Sequence, residues 1–157
     1  MNSESSSHTD DGFSGASVSP PRRIYVIINP AAGRERAILR TLNTVLGEME
    51  IEWDAAITHG KDDARRLAEQ AAASGVDAVA VYGGDGSVLE AATGLHGSTI
   101  PLAILPGGTA NVLARELGIP GDLTEALYLL DEGAIRGIDM GAVGDQLFFH
   151  LGIGFEG

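Results

Sequence analysis

The chain has 157 residues, of which 44% are hydrophobic and 20% charged, enough for one domain with a real core and too few for two ordinary domains. Its formal net charge of −12 weighs against binding of nucleic acid, whose phosphates need a basic face, and allows at most peripheral membrane contact. With no cysteine a disulfide framework, a thiolate metal site and a Cys nucleophile are excluded, and His8, His59, His96 and His150 are scattered without the spacing of a zinc site.

Acidity does not argue against ATP, because backbone N–H groups, a helix N-terminus and Mg²⁺ can hold phosphates with few basic side chains. No run reaches the roughly 18 apolar residues of a membrane-spanning helix, and the Ser-rich N-terminus lacks the apolar centre of a signal peptide. A soluble, cytoplasmic protein is the expectation.

Residues 1–23 hold Ser, Gly, Asp and the Pro20-Pro21 stop with almost nothing to bury, and read as a disordered tail. Residues 24–157 read as the folded unit. The apolar run Ile24 to Ile28, ended by Asn29-Pro30 and Gly33, predicts a buried strand and a loop, with a helix from Arg34 to Leu46. A second strand is expected at Ile51 to Ile57, where Glu52 and Asp54 alternate with apolar neighbours and Trp53 supplies core or partial core packing. A helix from Lys61 to Ala73 stops at Ser74-Gly75. The third strand, Asp77 to Val81, breaks at Gly83-Gly84-Asp85-Gly86 before a helix from Ser87 to Leu95. A fourth strand, Ile100 to Leu105, breaks at Pro106-Gly107-Gly108. Asn111 to Leu117 and Leu123 to Asp131 are expected helices, and the apolar stretches Ile135 to Val143 and Leu147 to Ile153, joined at Gly144-Asp145, suggest a β-hairpin.

Strands alternating with short helices define an α/β fold in three layers, with a largely parallel sheet between flanking helices and a closing hairpin. Ligands in such sheets sit beyond the carboxyl ends of the strands, where both glycine breaks fall. Gly83, Gly84, Asp85, Gly86 and Ser87 lie between a strand and a helix, so their backbone can turn tightly and aim N–H groups at a phosphate. The alternative is a turn whose glycines only relieve strain. The second loop, Pro106-Gly107-Gly108-Thr109-Ala110-Asn111, also joins a strand to a helix, with Thr109 or Asn111 placed to cap it. Two loops at one sheet edge can enclose a triphosphate, with the hydroxyls of Ser87 and Thr109 as further donors.

The order Asn29-Pro30-Ala31-Ala32-Gly33, then GGDGS followed by Glu90, then LPGGTANVLARELGIP from Leu105 to Pro120 resembles the diacylglycerol kinase catalytic family, which includes sphingosine kinases and bacterial lipid kinases. The resemblance runs from Ile24 to the last residue. It implies an N-terminal lobe that binds ATP with Mg²⁺, and a β-rich C-terminal lobe, absent from this chain, that binds a lipid alcohol such as diacylglycerol and supplies the catalytic base. It places nucleotide contacts at Asn29, Thr58, Gly83, Gly84, Asp85, Gly86, Ser87, Glu90, Gly108 and Thr109, with Asp85 also a candidate Mg²⁺ ligand. Glu90 has an alternative role in bonding backbone N–H groups, and Asn29 one as a turn former before Pro30. Ser87 replaces the usual threonine and keeps its hydroxyl, Val112 stands where many members carry Asp, and Glu156-Gly157 replaces Asp-Ala at the end.

Other signals carry less. Gly152, Gly154 and Gly157 match a dinucleotide fingerprint with no helix after it, and Gly60-Lys61-Asp62 is not a P-loop. Lys61 reads as a solvated first-turn residue, His59 as an exposed loop residue, and Phe148 and Phe149 as an apolar patch open to self-association. The competing functions are a kinase of a soluble acceptor, of NAD kinase or phosphofructokinase type, and a non-catalytic nucleotide-binding module. On its own the chain is expected to bind nucleotide without turning over lipid.

Overall fold

In the computed structural model, residues 19–32, 37–133, 135, 137, 140–143 and 146–149 are described. The β-branched run near the N-terminus forms β1 (Arg23–Ile28), whose Ile24, Val26, Ile27 and Ile28 are all buried, as expected of a strand covered on both faces. β2 (Glu52–Ile57) lies at the sheet edge and exposes most of its residues, with Trp53 packed partly into the core. β3 (Ala78–Gly83) is buried along its whole length, and β4 (Leu102–Pro106) completes a four-stranded sheet of order β2-β1-β3-β4. Every pairing in this sheet is parallel. β5 (Met140–Val143) and β6 (Gln146–Phe149) pair antiparallel as a separate hairpin.

Helices cover both faces. α1 (Ile38–Glu48) and α5 (Leu123–Glu132) bury Leu42, Val45, Leu46, Leu123, Ala126 and Leu127 against Ile24, Val26, Ile28, Ala80 and Tyr82. α2 (Asp63–Ala73) and α3 (Asp85–Leu95) bury Ala64, Ala68, Ala71, Val88 and Ala91 against Ile27, Val79 and Val81. The short α4 (Val112–Glu116) adds Leu113 and Ala114 to that second face. The alternation along each strand assigns its side chains to the two layers, which is the three-layer α/β architecture read from the sequence.

The strand order has a functional consequence. From β1 the chain winds outward to β2, then crosses back over β1 to β3 and continues to β4. The direction reverses between β1 and β3, a topological switch point, beside which ligands of open α/β sheets commonly bind. At the opposite end, the Asp77 carboxylate accepts the N–H groups of Arg22 and Arg23 at 2.9 and 3.0 Å, pinning the start of β1 beside β3.

Several boundaries differ from the sequence reading. α1 starts at Ile38 rather than Arg34 and runs on to Glu48, while Pro30–Ala32 form a 3-10 turn. Residues 33–36 lie outside the described residues. α2 starts two residues later than expected, at Asp63. α3 starts two residues earlier, at Asp85, so Gly86 and Ser87 belong to its first turn. The hairpin pairs Met140 with Phe149; its turn at 144–145, the side chains of Phe148 and Phe149, and the glycines after residue 150 lie outside the described residues, as do residues 1–18 of the expected tail.

α2 and α3 approach so closely that Gly94 has no room for a side chain: a Cβ there would run into the Arg65 carbonyl oxygen and the Ala68 methyl. Gly94→Ala therefore lowers stability by about 1–3 kcal/mol, although alanine is the better helix former by up to ~1 kcal/mol. Urea unfolding monitored by circular dichroism checks this, and an unchanged or raised midpoint would contradict the packing described.

Candidate functional site

Because the four strands are parallel, their carboxyl ends meet at one edge, and the loops that leave them converge there. After β1 the backbone N–H of Asn29 donates to the Tyr82 carbonyl at 2.9 Å. The Asn29 side chain works in both directions: Oδ1 accepts the Ala31 N–H at 2.9 Å and Nδ2 donates to Ser87 Oγ at 2.9 Å. Asn29 is thus both the turn former before Pro30 and a tether from the first loop to the glycine loop.

Gly83 leaves room for this tether, since a Cβ there would lie 2.7 Å from Ser87 Cβ and 2.8 Å from its Oγ. Gly84 is the N-cap of α3, in extended conformation, with no side-chain cap. The first-turn N–H groups of α3 accordingly begin beside two residues without side chains, an arrangement suited to an anion. A Cβ on Gly86 would meet nothing within 4 Å, so this position borders open space.

The second loop meets the first backbone to backbone. A Cβ at Gly108 would lie 2.5 Å from Gly84 Cα, and one at Gly84 would lie 3.2 Å from Gly108 Cα. The Gly107 N–H donates to the Gly83 carbonyl at 3.0 Å, continuing the β3–β4 ladder, while Gly107 also lies flat against the Tyr82 ring. Thr109 is exposed next to this junction.

Asn111 was assigned only a capping role from the sequence. It is buried, 8% exposed, with a left-handed φ of 50°, a conformation that Asn tolerates better than most residues. Its Oδ1 accepts the Gly108 N–H and its Nδ2 donates to the Gly108 carbonyl, both at 2.9 Å. The side chain therefore holds Gly108 instead of capping α4. The cap comes from the other loop: Asp85 Oδ2 accepts the Val112 N–H at 3.0 Å and Oδ1 the Leu113 N–H at 3.1 Å. Val112, at the position where the related pattern often has Asp, is 41% exposed.

Glu90 and Thr58 approach from the β2–α2 side. Glu90 Oε1 accepts the Ala64 N–H at 3.2 Å, tying α3 to the first turn of α2, which matches its alternative reading as a backbone anchor. The loop between β2 and α2 is gathered by Asp63, whose Oδ2 accepts the N–H groups of His59 and Gly60 at 2.6 and 3.1 Å and whose Oδ1 accepts from Arg66 at 2.7 Å. The His59 hydrogen bond foremost, then that of Arg66, holds this carboxyl below its ordinary value, so the clasp persists above the carboxylate range and loosens only as pH falls through the lowered pKa. His59 and Lys61 are exposed, as expected.

Thr58 is 9% exposed. Its N–H donates to Ile28 at 2.9 Å, which places it beside Asn29. Among the described residues its hydroxyl has no hydrogen-bond partner. A buried hydroxyl left unpaired costs about 1–3 kcal/mol, and such a group calls for an explanation.

A cavity of about 710 Å³ opens elsewhere, between β4 and α5, lined by Arg22, Asp77, Pro101, Leu102, Ala126 and Leu129. It flanks the amino ends of the strands, away from the glycine loops, and is lined mostly by apolar side chains. Among the described residues no group of three His, Cys, Asp or Glu is arranged to hold a metal ion, and no helix is long and apolar enough to cross a membrane.

The family model "Diacylglycerol kinase catalytic domain" matches residues 23–143. A protein of Pseudomonas aeruginosa strain UCBPP-PA14 named "Probable lipid kinase YegS-like" is 39% identical over 133 residues, covering 83% of this chain and 43% of that protein. One of the same name from Klebsiella pneumoniae strain 342 is 37% identical over 126 residues, covering 79% and 42%. Among solved structures, a diacylglycerol kinase from Bacillus anthracis strain Sterne superposes with a TM-score of 0.72 at 30% identity, covering 83% of this chain and 47% of that one. The chain thus spans less than half the length of these relatives.

The Thr58 hydroxyl gives a test in which stability and binding move apart. If it serves a ligand rather than the fold, Thr58→Val leaves the unfolding midpoint unchanged or raised while ATP affinity falls by about three- to tenfold, the worth of one hydrogen bond. Thermal unfolding and calorimetric titration of both proteins decide it, and a clear loss of stability with unaltered affinity would overturn the assignment.

Proposed function

Because this chain belongs to the diacylglycerol kinase catalytic family, we propose that it is the ATP-binding lobe of a lipid kinase that transfers the γ-phosphoryl group of ATP to a lipid hydroxyl. The observation that carries the reading is the contact of Gly84 with Gly108, which brings two strand-to-helix loops to a switch point with their backbone close to any ligand there. The phosphates would rest against the N–H groups of Gly84 to Ser87 and of Thr109, beside the bare backbone of Gly108, whose own N–H is held by Asn111, with the hydroxyls of Thr58, Ser87 and Thr109 as side-chain donors. Asn29 and Glu90 would serve this site by holding Ser87 and Ala64 in place. Magnesium would enter with the phosphate oxygens of the nucleotide, whose charge it neutralises.

In the transfer, the lipid hydroxyl oxygen bonds to the γ-phosphorus, the bond from that phosphorus to the bridging β,γ-oxygen breaks, and ADP leaves. The acceptor's proton has to pass to a base. None of the candidate residues is placed for that task, and both base and lipid pocket are assigned to the second lobe that the family resemblance implies. The names of the relatives favour a lipid alcohol over the soluble acceptors of NAD kinase or phosphofructokinase type.

The expected behaviour is binding without turnover. Calorimetric titration with ATP and Mg²⁺ gives a saturable isotherm, whereas incubation with labelled ATP, Mg²⁺ and diacylglycerol micelles yields no phosphatidic acid above background. Absence of any ATP binding would remove the nucleotide reading, and clear phosphatidic acid formation would remove the division of labour between lobes.

A further inference from the structure

We infer that Asp85 is a positioning residue that locks the two glycine loops into one cradle, its carboxylate acting on α4 rather than on a metal ion. The functional half of this inference rests on the nucleotide-binding reading above; the structural half stands on geometry alone.

Asp85 is the first residue of α3, yet its side chain leaves that helix and takes two first-turn N–H groups of α4, those of Val112 and Leu113, at 3.0 and 3.1 Å. Those N–H groups have no intrahelical partner and need a cap. The residue in the N-cap position, Asn111, cannot supply it, because both ends of its amide are engaged with Gly108. Asp85 fills the vacancy with a charged acceptor, and hydrogen bonds of this kind are stronger than neutral ones.

The contacts then close on themselves. Asp85 holds α4, α4 follows Asn111, Asn111 holds Gly108, and Gly108 rests on Gly84, the neighbour of Asp85. Moving either loop breaks a charge-assisted hydrogen bond or drives backbone into backbone. A dication on the same carboxylate would face amide hydrogens already aimed at both oxygens.

Amide hydrogen exchange and calorimetry on the full chain test this in Asp85→Asn, which keeps one acceptor, and Asp85→Ala, which keeps none. Protection at Val112 and Leu113 is expected to fall by about tenfold or more in Asp85→Ala, and ATP affinity by a similar factor, equally with Mg²⁺ and with a chelator present. Asp85→Asn should fall between wild type and Asp85→Ala. Unchanged protection, or an affinity loss seen only with Mg²⁺, overturns the inference.

If wild type binds no ATP, the nucleotide reading fails, and the exchange result still decides the clamp by itself. Should both Asp85 variants unfold, Asn111→Ala carries the test because it opens the circuit at Gly108 and leaves the carboxylate intact. Loosened exchange at Gly108, Val112 and Leu113 with Mg²⁺-independent loss of ATP affinity supports the clamp. Unaltered exchange there overturns it.

Discussion

Gly84 and Gly108 touch through their backbones, and this contact sets the geometry of everything around it. A Cβ on Gly108 would lie 2.5 Å from Gly84 Cα and one on Gly84 3.2 Å from Gly108 Cα, so the loops after β3 and β4 meet this closely because Gly108 has no side chain and Gly84 leaves the contact unstrained. The meeting itself follows from the sheet. Parallel strands bring the carboxyl ends of β1 to β4 to one edge, and the reversal of strand order between β1 and β3 falls where the first glycine loop begins. The buried β3 and the small-residue packing of α2 on α3 then hold the loop from behind.

Around this contact the polar side chains are largely spoken for by the protein itself. Asn29 holds Ser87, Glu90 holds Ala64, Asn111 holds Gly108 and Asp85 holds α4. Thr109 is exposed beside them and Thr58 is buried next to Asn29. On the proposed nucleotide reading the net charge of −12 is compatible with a phosphate ligand, because backbone amides attract an anion without basic side chains. Orientation and contact are divided between different residues.

The layered α/β fold was legible from the sequence because β1, β3 and β4 are largely apolar runs, β2 alternates polar and apolar residues, and the breaks after β3 and β4 are marked by glycine. The convergence of the two loops was legible for the same reason, since both follow strands of one parallel sheet. Helix starts were harder to read. Asp85 and Gly86 look like loop residues, yet a helix can begin directly on an extended glycine cap; Asp62 takes a left-handed φ of 68° that delays α2, a conformation set by the loop it closes. The partners of Asp85 and Asn111 could not be read at all. The first lie 27 and 28 residues away along the chain, and whether an Asn in the cap position caps its helix or folds back on the preceding loop depends on where a second loop sits.

The chain covers less than half of its relatives, and the function proposed for it is confined to a nucleotide site. That claim is tested most directly by following the backbone amide resonances of the chain as ATP and Mg²⁺ are added. The account predicts that the largest shifts cluster at Asn29, Thr58, Gly84 to Ser87 and Gly107 to Thr109, at the carboxyl edge of the sheet. Shifts centred instead on the cavity between β4 and α5, or none at saturating nucleotide, would contradict it.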